Sequence, residues 1–180
     1  LQSVYQKTNY KNFEIIVVDN GSKDSRCFSL YNKLKSTHSN FHQLSYIGDF
    51  NFAYLNRLGA QKAQGEHLVF LNNDTKIIND SWLAELLSLS QFKDVGAVGC
   101  MLLYPNSLLQ HGGVFLRTDS IAAHCGYRVN FKNIAYHQNS ILWRVHEVSA
   151  VTAACLMVKR AVYDLVGGFD TCSVPNGYGD

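Results

Sequence analysis

No apolar stretch in these 180 residues approaches the roughly 20 needed for a helix to cross a bilayer, so no membrane span is expected. The basic residues are scattered rather than gathered into a block, and the net charge is only +2. A nucleic-acid partner is therefore not expected on charge grounds. The five cysteines, Cys27, Cys100, Cys125, Cys155 and Cys172, are odd in number, far apart and without a CxxC pair. That pattern excludes a zinc ribbon or a disulfide framework and fits buried, reduced thiols in a cytosolic protein. There is no GxGxxG between a strand and a helix, so nothing supports a dinucleotide-dependent oxidoreductase. Internal repeats and low-complexity segments are absent as well. The first six residues carry neither an initiator Met nor a signal-peptide pattern, which is what a piece of a longer protein looks like.

What is present is the material for one folded domain. Hydrophobic residues make up 47% and charged residues 17%, enough to build a core and too apolar for disorder. Residues 14–18, Glu-Ile-Ile-Val-Val, form a β-branched run closed by the turn chemistry of Asp19-Asn20-Gly21-Ser22, the pattern of a buried and parallel strand. Helical spacing of Cys27, Leu30, Tyr31 and Leu34 predicts a helix over 23–36, and a second strand is expected near 44–47. Phe52, Leu55, Gly59 and Ala63 mark another helix over 51–64, with Gly65 as its stop. Residues 67–71 read as a further buried strand that breaks off in Asn72-Asn73-Asp74-Thr75. Asp80 or Ser81 can cap a helix whose one face shows Trp82, Leu83, Leu86, Leu87 and Ser90. A strand is expected over 97–103, loops and short strands over 105–145, a strand over 148–158 and a short helix over 160–166. Strands alternating with helices predict an α/β layered domain.

The polar clusters follow strand ends, which is where open α/β sheets bind ligands, so 19–22 and 72–75 are expected to share one crevice. A carboxylate at a strand tip between amides suits a hard divalent cation, because such ions take oxygen ligands and often only one or two protein carboxylates, with phosphate and water completing the shell. Asp74 is placed for that; an Asx-turn that merely closes the strand is the competing reading. Asp19 could accept hydrogen bonds from a nucleobase imide or a ribose hydroxyl, or could simply form its own turn. Asp180 follows the flexible Asn176-Gly177-Tyr178-Gly179, and nothing local marks it as catalytic. For His111 and His124 a hydrogen-bonded structural role is the default, and for Trp82 core packing.

Residues 15–24, Ile-Ile-Val-Val-Asp-Asn-Gly-Ser-Lys-Asp, resemble the VVDNGSxD stretch of family-2 glycosyltransferases. Residues 63–75, Ala-Gln-Gly-Glu-His-Leu-Val-Phe-Leu-Asn-Asn-Asp-Thr, are similar to the AxGExLxFLNNDT segment of the same family. Gly96-Ala97-Val98-Gly99, Leu102-Leu103-Tyr104-Pro105, Gln110-His111-Gly112-Gly113-Val114, Val151-Thr152-Ala153-Ala154-Cys155-Leu156 and Val166-Gly167-Gly168-Phe169-Asp170 follow in the family's order. The LNNDT and QHGG forms are most similar to its rhamnosyltransferase-like, O-antigen branch in bacteria.

The resemblance implies a GT-A fold, a Rossmann-like and mostly parallel sheet flanked by helices, as one catalytic domain over 1–180 that lacks its first strand and its C-terminal part. It implies an inverting transfer of a sugar from a dTDP- or UDP-linked donor to an acceptor hydroxyl, in cell-surface polysaccharide synthesis. Asp74 falls on the last acid of the family's DXD motif, which binds Mn²⁺ or Mg²⁺; Asn72 replaces the first acid and joins Asp19 and Asn20 at the nucleotide. Thr152 falls near the acceptor, and Asp180, ten residues after Asp170, falls at the general base, although Gly179 stands where the family has Glu or Asn. The acceptor is a glycan or lipid-linked glycan, and the place is the cytoplasm, with peripheral association at the inner face of the membrane allowed. The alternative is a catalytically inactive carbohydrate-binding or scaffolding relative, which the Asn72 and Gly179 replacements keep open.

Overall fold

The computed structural model describes residues 1–116, 122–136 and 140–176. In chain order the elements are α1 (Gln2–Lys7), β1 (Ile15–Asp19), α2 (Ser25–Thr37), β2 (Phe41–Ser45), α3 (Phe52–Lys62), β3 (His67–Leu71), α4 (Trp82–Ser90) and β4 (Ala97–Gly99). Four two- or three-residue strands follow: β5 (Leu102–Leu103), β6 (Leu109–His111), β7 (Val114–Phe115) and β8 (Ala123–His124). Then come α5 (Phe131–Tyr136), a 3₁₀ turn (Ile141–Trp143), β9 (Cys155–Lys159) and α6 (Arg160–Leu165). No helix among the described residues is long and apolar enough to cross a membrane.

Two sheet fragments carry the architecture. β1 and β2 pair in parallel, Ile15 opposite Phe41 and Asp19 opposite Ser45. β9 lies between β3 and β4 and runs antiparallel to both, with Leu71 opposite Cys155 and Ala97 opposite Val158. The α/β class stands, but the expectation of mostly parallel pairing is corrected here: only β1 and β2 pair that way among the described residues. A continuous apolar run announces a strand buried on both faces and carries no information about its direction.

Burial alternates along the central strands. Leu68 and Phe70 of β3 and Val158 of β9 pack with Ala60 and Tyr163 on the face covered by α3 and α6. Val69, Leu71, Cys155 and Met157 point the other way, toward Trp82, Leu83 and Leu86 of α4 and Val4 of α1. A third cluster joins Tyr31 and Leu34 of α2 to Phe41 of β2. The period of two in a strand and the apolar stripe of each helix account for this layering. Arg160 ties the α3 side down by donating to the carbonyl oxygens of Ala60, Ala63 and Gly65 at 3.1, 2.8 and 2.9 Å. Those carbonyls lie at the C-terminal end of α3 and just beyond it, where a helix leaves acceptors unpaired and favours a cation.

Several boundaries differ from the sequence reading. The strand expected over 97–103 breaks at Cys100 and Met101, and β4 and β5 enter different sheets. Of the strand expected over 148–158 only the part from Cys155 on forms, as β9 (Cys155–Lys159), and the N–H groups of Thr152 and Ala154 before it pair with side chains. β2 begins three residues earlier than expected, and Leu30 of α2 is exposed rather than packed.

Candidate active site

β1 and β3 face each other without being hydrogen-bonded, so each keeps a free edge among the described residues. Between them lies a cavity of about 1670 Å³ whose walls are the two strands and α3. Gly59 of α3 sits against Val18 of β1, while Ala60 packs under β3, so one helix floors both strands. The polar residues after the two strand ends, Asp19, Asn20 and Ser22 on one side and residues 72–75 on the other, all line this cavity. The crevice expected from the strand-end rule is therefore present.

On the β1 side, Asp19 is 6% exposed and carries hydrogen bonds from the Ser22 hydroxyl and, at 3.5 Å, from the Tyr31 hydroxyl. The Tyr31 phenol is pushed up by burial first and then by the negative charge of Asp19, so it stays a donor. Neither Ser22 nor Tyr31 was singled out as a partner of Asp19 from the sequence. The signal available was helical phase, since Tyr31 shares the inward face of α2 with Cys27 and Leu34. Asn20, which also lines the cavity, donates from its amide nitrogen to the carbonyl oxygens of Gly48 at 3.0 Å and Tyr46 at 3.5 Å. It pins the loop after β2 to the end of β1. Gly21 takes φ +70° in this turn, a backbone state that side chains other than glycine's adopt with strain.

On the β3 side, the Asn72 backbone N–H donates to the carbonyl oxygen of Ala154 at 3.0 Å, extending the β3–β9 pairing by one bond. Thr75 closes the turn, donating to the Asn72 carbonyl oxygen from its hydroxyl at 2.7 Å and from its N–H at 3.3 Å. Asp74 rides on that turn, exposed, and its carboxylate makes no hydrogen bond to any described residue. The Asx-turn alternative required the Asp74 side chain to bond the backbone; Thr75 does that work instead. An oxygen donor free of protein partners, at a cavity wall, fits a hard divalent cation that keeps most of its shell in water and phosphate. No group of three His, Cys, Asp or Glu gathers as a complete protein cage among the described residues.

Thr152 does not line the cavity. It is 6% exposed, its N–H donates to Nε2 of His111 at 3.4 Å, and its hydroxyl oxygen accepts from Ala154 N–H at 3.2 Å. Asp180 lies outside the described residues. The chain that leads to it, residues 171–176, docks on the N-terminus of α3: Asn176 accepts from Phe52 N–H at 2.9 Å, and the Pro175 carbonyl accepts from Ala53 N–H at 3.1 Å. Asp170 starts this segment, accepting from the N–H groups of Cys172 and Ser173, both at 2.9 Å, which hold its carboxyl below the usual range.

Two polar strand ends opening on one cavity in an α/β domain define the class of fold that binds its ligands beyond the carboxyl ends of its strands. The solved structure of the mannosyltransferase PcManGT from Pyrobaculum calidifontis, in complex with GDP-Man and Mn²⁺, superposes with a TM-score of 0.64 at 18% identity, covering 97% of this chain and 44% of that one. At that identity the likeness is one of fold, which is GT-A. Residues 1–166 match the sequence model of Glycosyl transferase family 2, and the chain belongs to that family. It is 35% identical over 170 residues to the O-antigen biosynthesis protein RfbC of Myxococcus xanthus, covering 94% of this chain and 13% of that protein. It is also 32% identical over its full 180 residues to the uncharacterized protein y4gI of Sinorhizobium fredii, 20% of whose length it covers. The chain thus spans a fifth or less of the length of the curated relatives it matches.

Proposed function

We propose that this chain is the donor-binding part of an inverting glycosyltransferase that moves a sugar from a nucleotide-sugar to an acceptor hydroxyl in cell-surface polysaccharide synthesis. The observation that carries the reading is the placement of Asp19 and Asp74 at the ends of β1 and β3, on facing walls of one cavity. Family membership and the name of the RfbC relative support it. In this reading the Asp74 carboxylate holds Mn²⁺ or Mg²⁺, with the side-chain oxygen of Asn72 beside it. When bound, the ion neutralises charge that builds on the leaving diphosphate. Asp19, kept in place by Ser22 and Tyr31, accepts hydrogen bonds from the base or ribose of the donor. Asn20 supports that wall, since its amide is taken up by Gly48 and Tyr46.

Asp180 is the proposed base that takes the acceptor proton as the hydroxyl attacks. Thr152 serves the acceptor side from beneath, being buried. The open edges of β1 and β3 are suited to one further strand from outside these 180 residues, which would join the two sheet fragments into a single catalytic domain. The donor is dTDP- or UDP-linked by branch similarity, and GDP is the third nucleotide to include because the superposed mannosyltransferase was solved with GDP-Man. The acceptor is a glycan or lipid-linked glycan, met in the cytoplasm at the inner face of the membrane.

Thermal unfolding of the full-length protein with UDP, dTDP or GDP, each with and without Mn²⁺, tests this in wild type and Asp74→Asn. A ligand that binds only the folded state raises the melting temperature by mass action. A shift with one nucleotide that requires the metal and disappears in Asp74→Asn is the expected result. A folded protein that responds to none of the three sinks the reading and favours the inactive relative.

A further inference from the structure

A continuous series of hydrogen bonds runs behind the β3 wall of the cavity. His111, at the end of β6, is 2% exposed. Its Nε2 accepts the Thr152 N–H at 3.4 Å, so in the neutral ring the proton sits on Nδ1. That Nδ1 lies 3.1 Å from Nδ1 of His124 on β8, which therefore accepts. Thr152 passes the constraint on by taking the Ala154 N–H on its hydroxyl at 3.2 Å, and the Ala154 carbonyl takes the Asn72 N–H at 3.0 Å. Asn72 in turn is the acceptor on which Thr75 closes the turn around Asp74.

Residues 152–154 precede β9 and are buried, yet the N–H groups of Thr152 and Ala154 find their acceptors in side chains. A buried N–H without an acceptor carries the full penalty of its lost hydration, so the His111 ring supplies something the strand ladder does not. The ring is held neutral by its surroundings: burial, then the neighbouring His124, push His111 down to about 4. A protonated ring would present N–H to N–H at Thr152 and break the series. The glycine that follows Gly112 has a matching reason for its identity. Gly113 takes φ +106°, and a Cβ there would collide with Val148, so the backbone just after His111 lies against the Val148 side chain at a distance that only glycine allows.

We infer that His111 is a positioning residue for the Asp74 turn: anchored on His124, it fixes residues 152–154 and through them the Asn72 end of β3. It touches neither ion nor nucleotide. This rests on the proposed donor site and extends it to a residue some forty positions away in sequence. Groups hydrogen-bonded directly to a metal's ligands change its affinity by about 10–100-fold when lost, and His111, acting through Thr152, Ala154 and Asn72, is expected at the low end of that range.

The test uses the full-length protein with Mn²⁺ and whichever of UDP, dTDP and GDP the wild type binds. Dissociation constants are measured alongside melting temperatures without ligand, for wild type, His111→Leu and His111→Gln. Gln places an amide oxygen where it can accept the Thr152 N–H; Leu cannot. The expected result is a Kd weakened about tenfold or more in His111→Leu and largely restored in His111→Gln. A purely structural role would lower both melting temperatures and leave Kd at the wild-type value, and that result overturns the inference. Should His111→Leu fail to fold, hydrogen exchange in the wild type decides. Peptides covering residues 72 and 152–154 are expected to gain protection when Mn²⁺ and nucleotide are added, and unchanged exchange there also overturns it. A wild type that binds no nucleotide with metal rejects the donor site itself, a different outcome from a site that binds but ignores residue 111.

Discussion

The indole Nε1 of Trp82 donates to the Thr8 hydroxyl 2.9 Å away, across 74 positions of sequence, with both residues more than nine-tenths buried. This one bond docks α1 onto the start of α4. Two further contacts repeat the link: Ser3 Oγ accepts from Ile77 N–H at 3.1 Å, and Asp80 O accepts from Asn9 N–H at 3.1 Å. Trp82 is thus a core residue with its one polar atom satisfied, as the apolar phase of α4 suggested, and its ring backs the cavity from below.

Thr8→Val keeps the shape and leaves the indole N–H buried without an acceptor. The expected loss is about 1–3 kcal/mol of folding stability, measured by urea denaturation. Adding Trp82→Phe to Thr8→Val is expected to cost less than the sum of the two single changes, because the unpaired donor goes with the indole. Additive costs would show that the pair is not coupled.

His111 makes stability depend on pH. Its ordinary value near 6.5 applies to the unfolded chain, and in the fold it is pushed down to about 4. Between those values the unfolded chain binds a proton that the folded one refuses, so stability falls as pH drops below about 6.5 and levels off below about 4. From pH 7.5 to pH 5 this group alone is expected to cost about 2 kcal/mol. The measurement is the difference in that loss between wild type and His111→Gln, which subtracts the contributions of the other histidines. Equal losses in the two proteins would contradict the prediction.

Cys100 and Cys155 bring their sulfur atoms to 3.4 Å, the Cys155 thiol donating to Cys100. That hydrogen bond holds the Cys100 thiol below its usual value, while the same bond and burial push Cys155 up. Cys100, half-buried, is therefore the sulfur expected to attack a small disulfide such as oxidised glutathione. Cys155 then displaces glutathione from the mixed disulfide; the two protein thiols lose two electrons and two protons, and the oxidant leaves as two thiols. The expected product is an intrachain bond, two hydrogens lighter by mass, that Cys100→Ser abolishes. A folded protein that carries only mixed disulfides would refute it.

Much of this molecule was readable locally. The β-branched run before Asp19 and the phase of Trp82, Leu83 and Leu86 are decided within a few residues, and the corresponding elements formed close to their expected places. Ser81 stands at the start of α4 as expected but makes no side-chain capping bond, whereas Asp24 and Asn51, which cap α2 and α3, were not singled out. The crevice was readable too, since strand ends and polar turns mark it together. The behaviour of residues 97–103 and 148–158 was not. Both look like single strands, yet the first splits between two sheets and the second pairs only from Cys155 on. Pairing depends on which distant backbone arrives alongside, and periodicity is silent about that.

Sequence by itself determined the family, the alternation of strands and helices, and which carboxylates stand at strand ends, because each of these is written in motifs and short-range periods. Only the tertiary structure decided that Asn20 is tied to the Gly48 and Tyr46 carbonyls, that Thr152 is buried, that Tyr31 and Ser22 hold Asp19, that Asp74 makes no hydrogen bond to a described residue, and that His111 reaches Asn72 through Thr152 and Ala154. Apart from the local bond of Ser22 to Asp19, those facts depend on separate segments meeting in the fold, where the need to pair every buried donor selects among partners that no local pattern names.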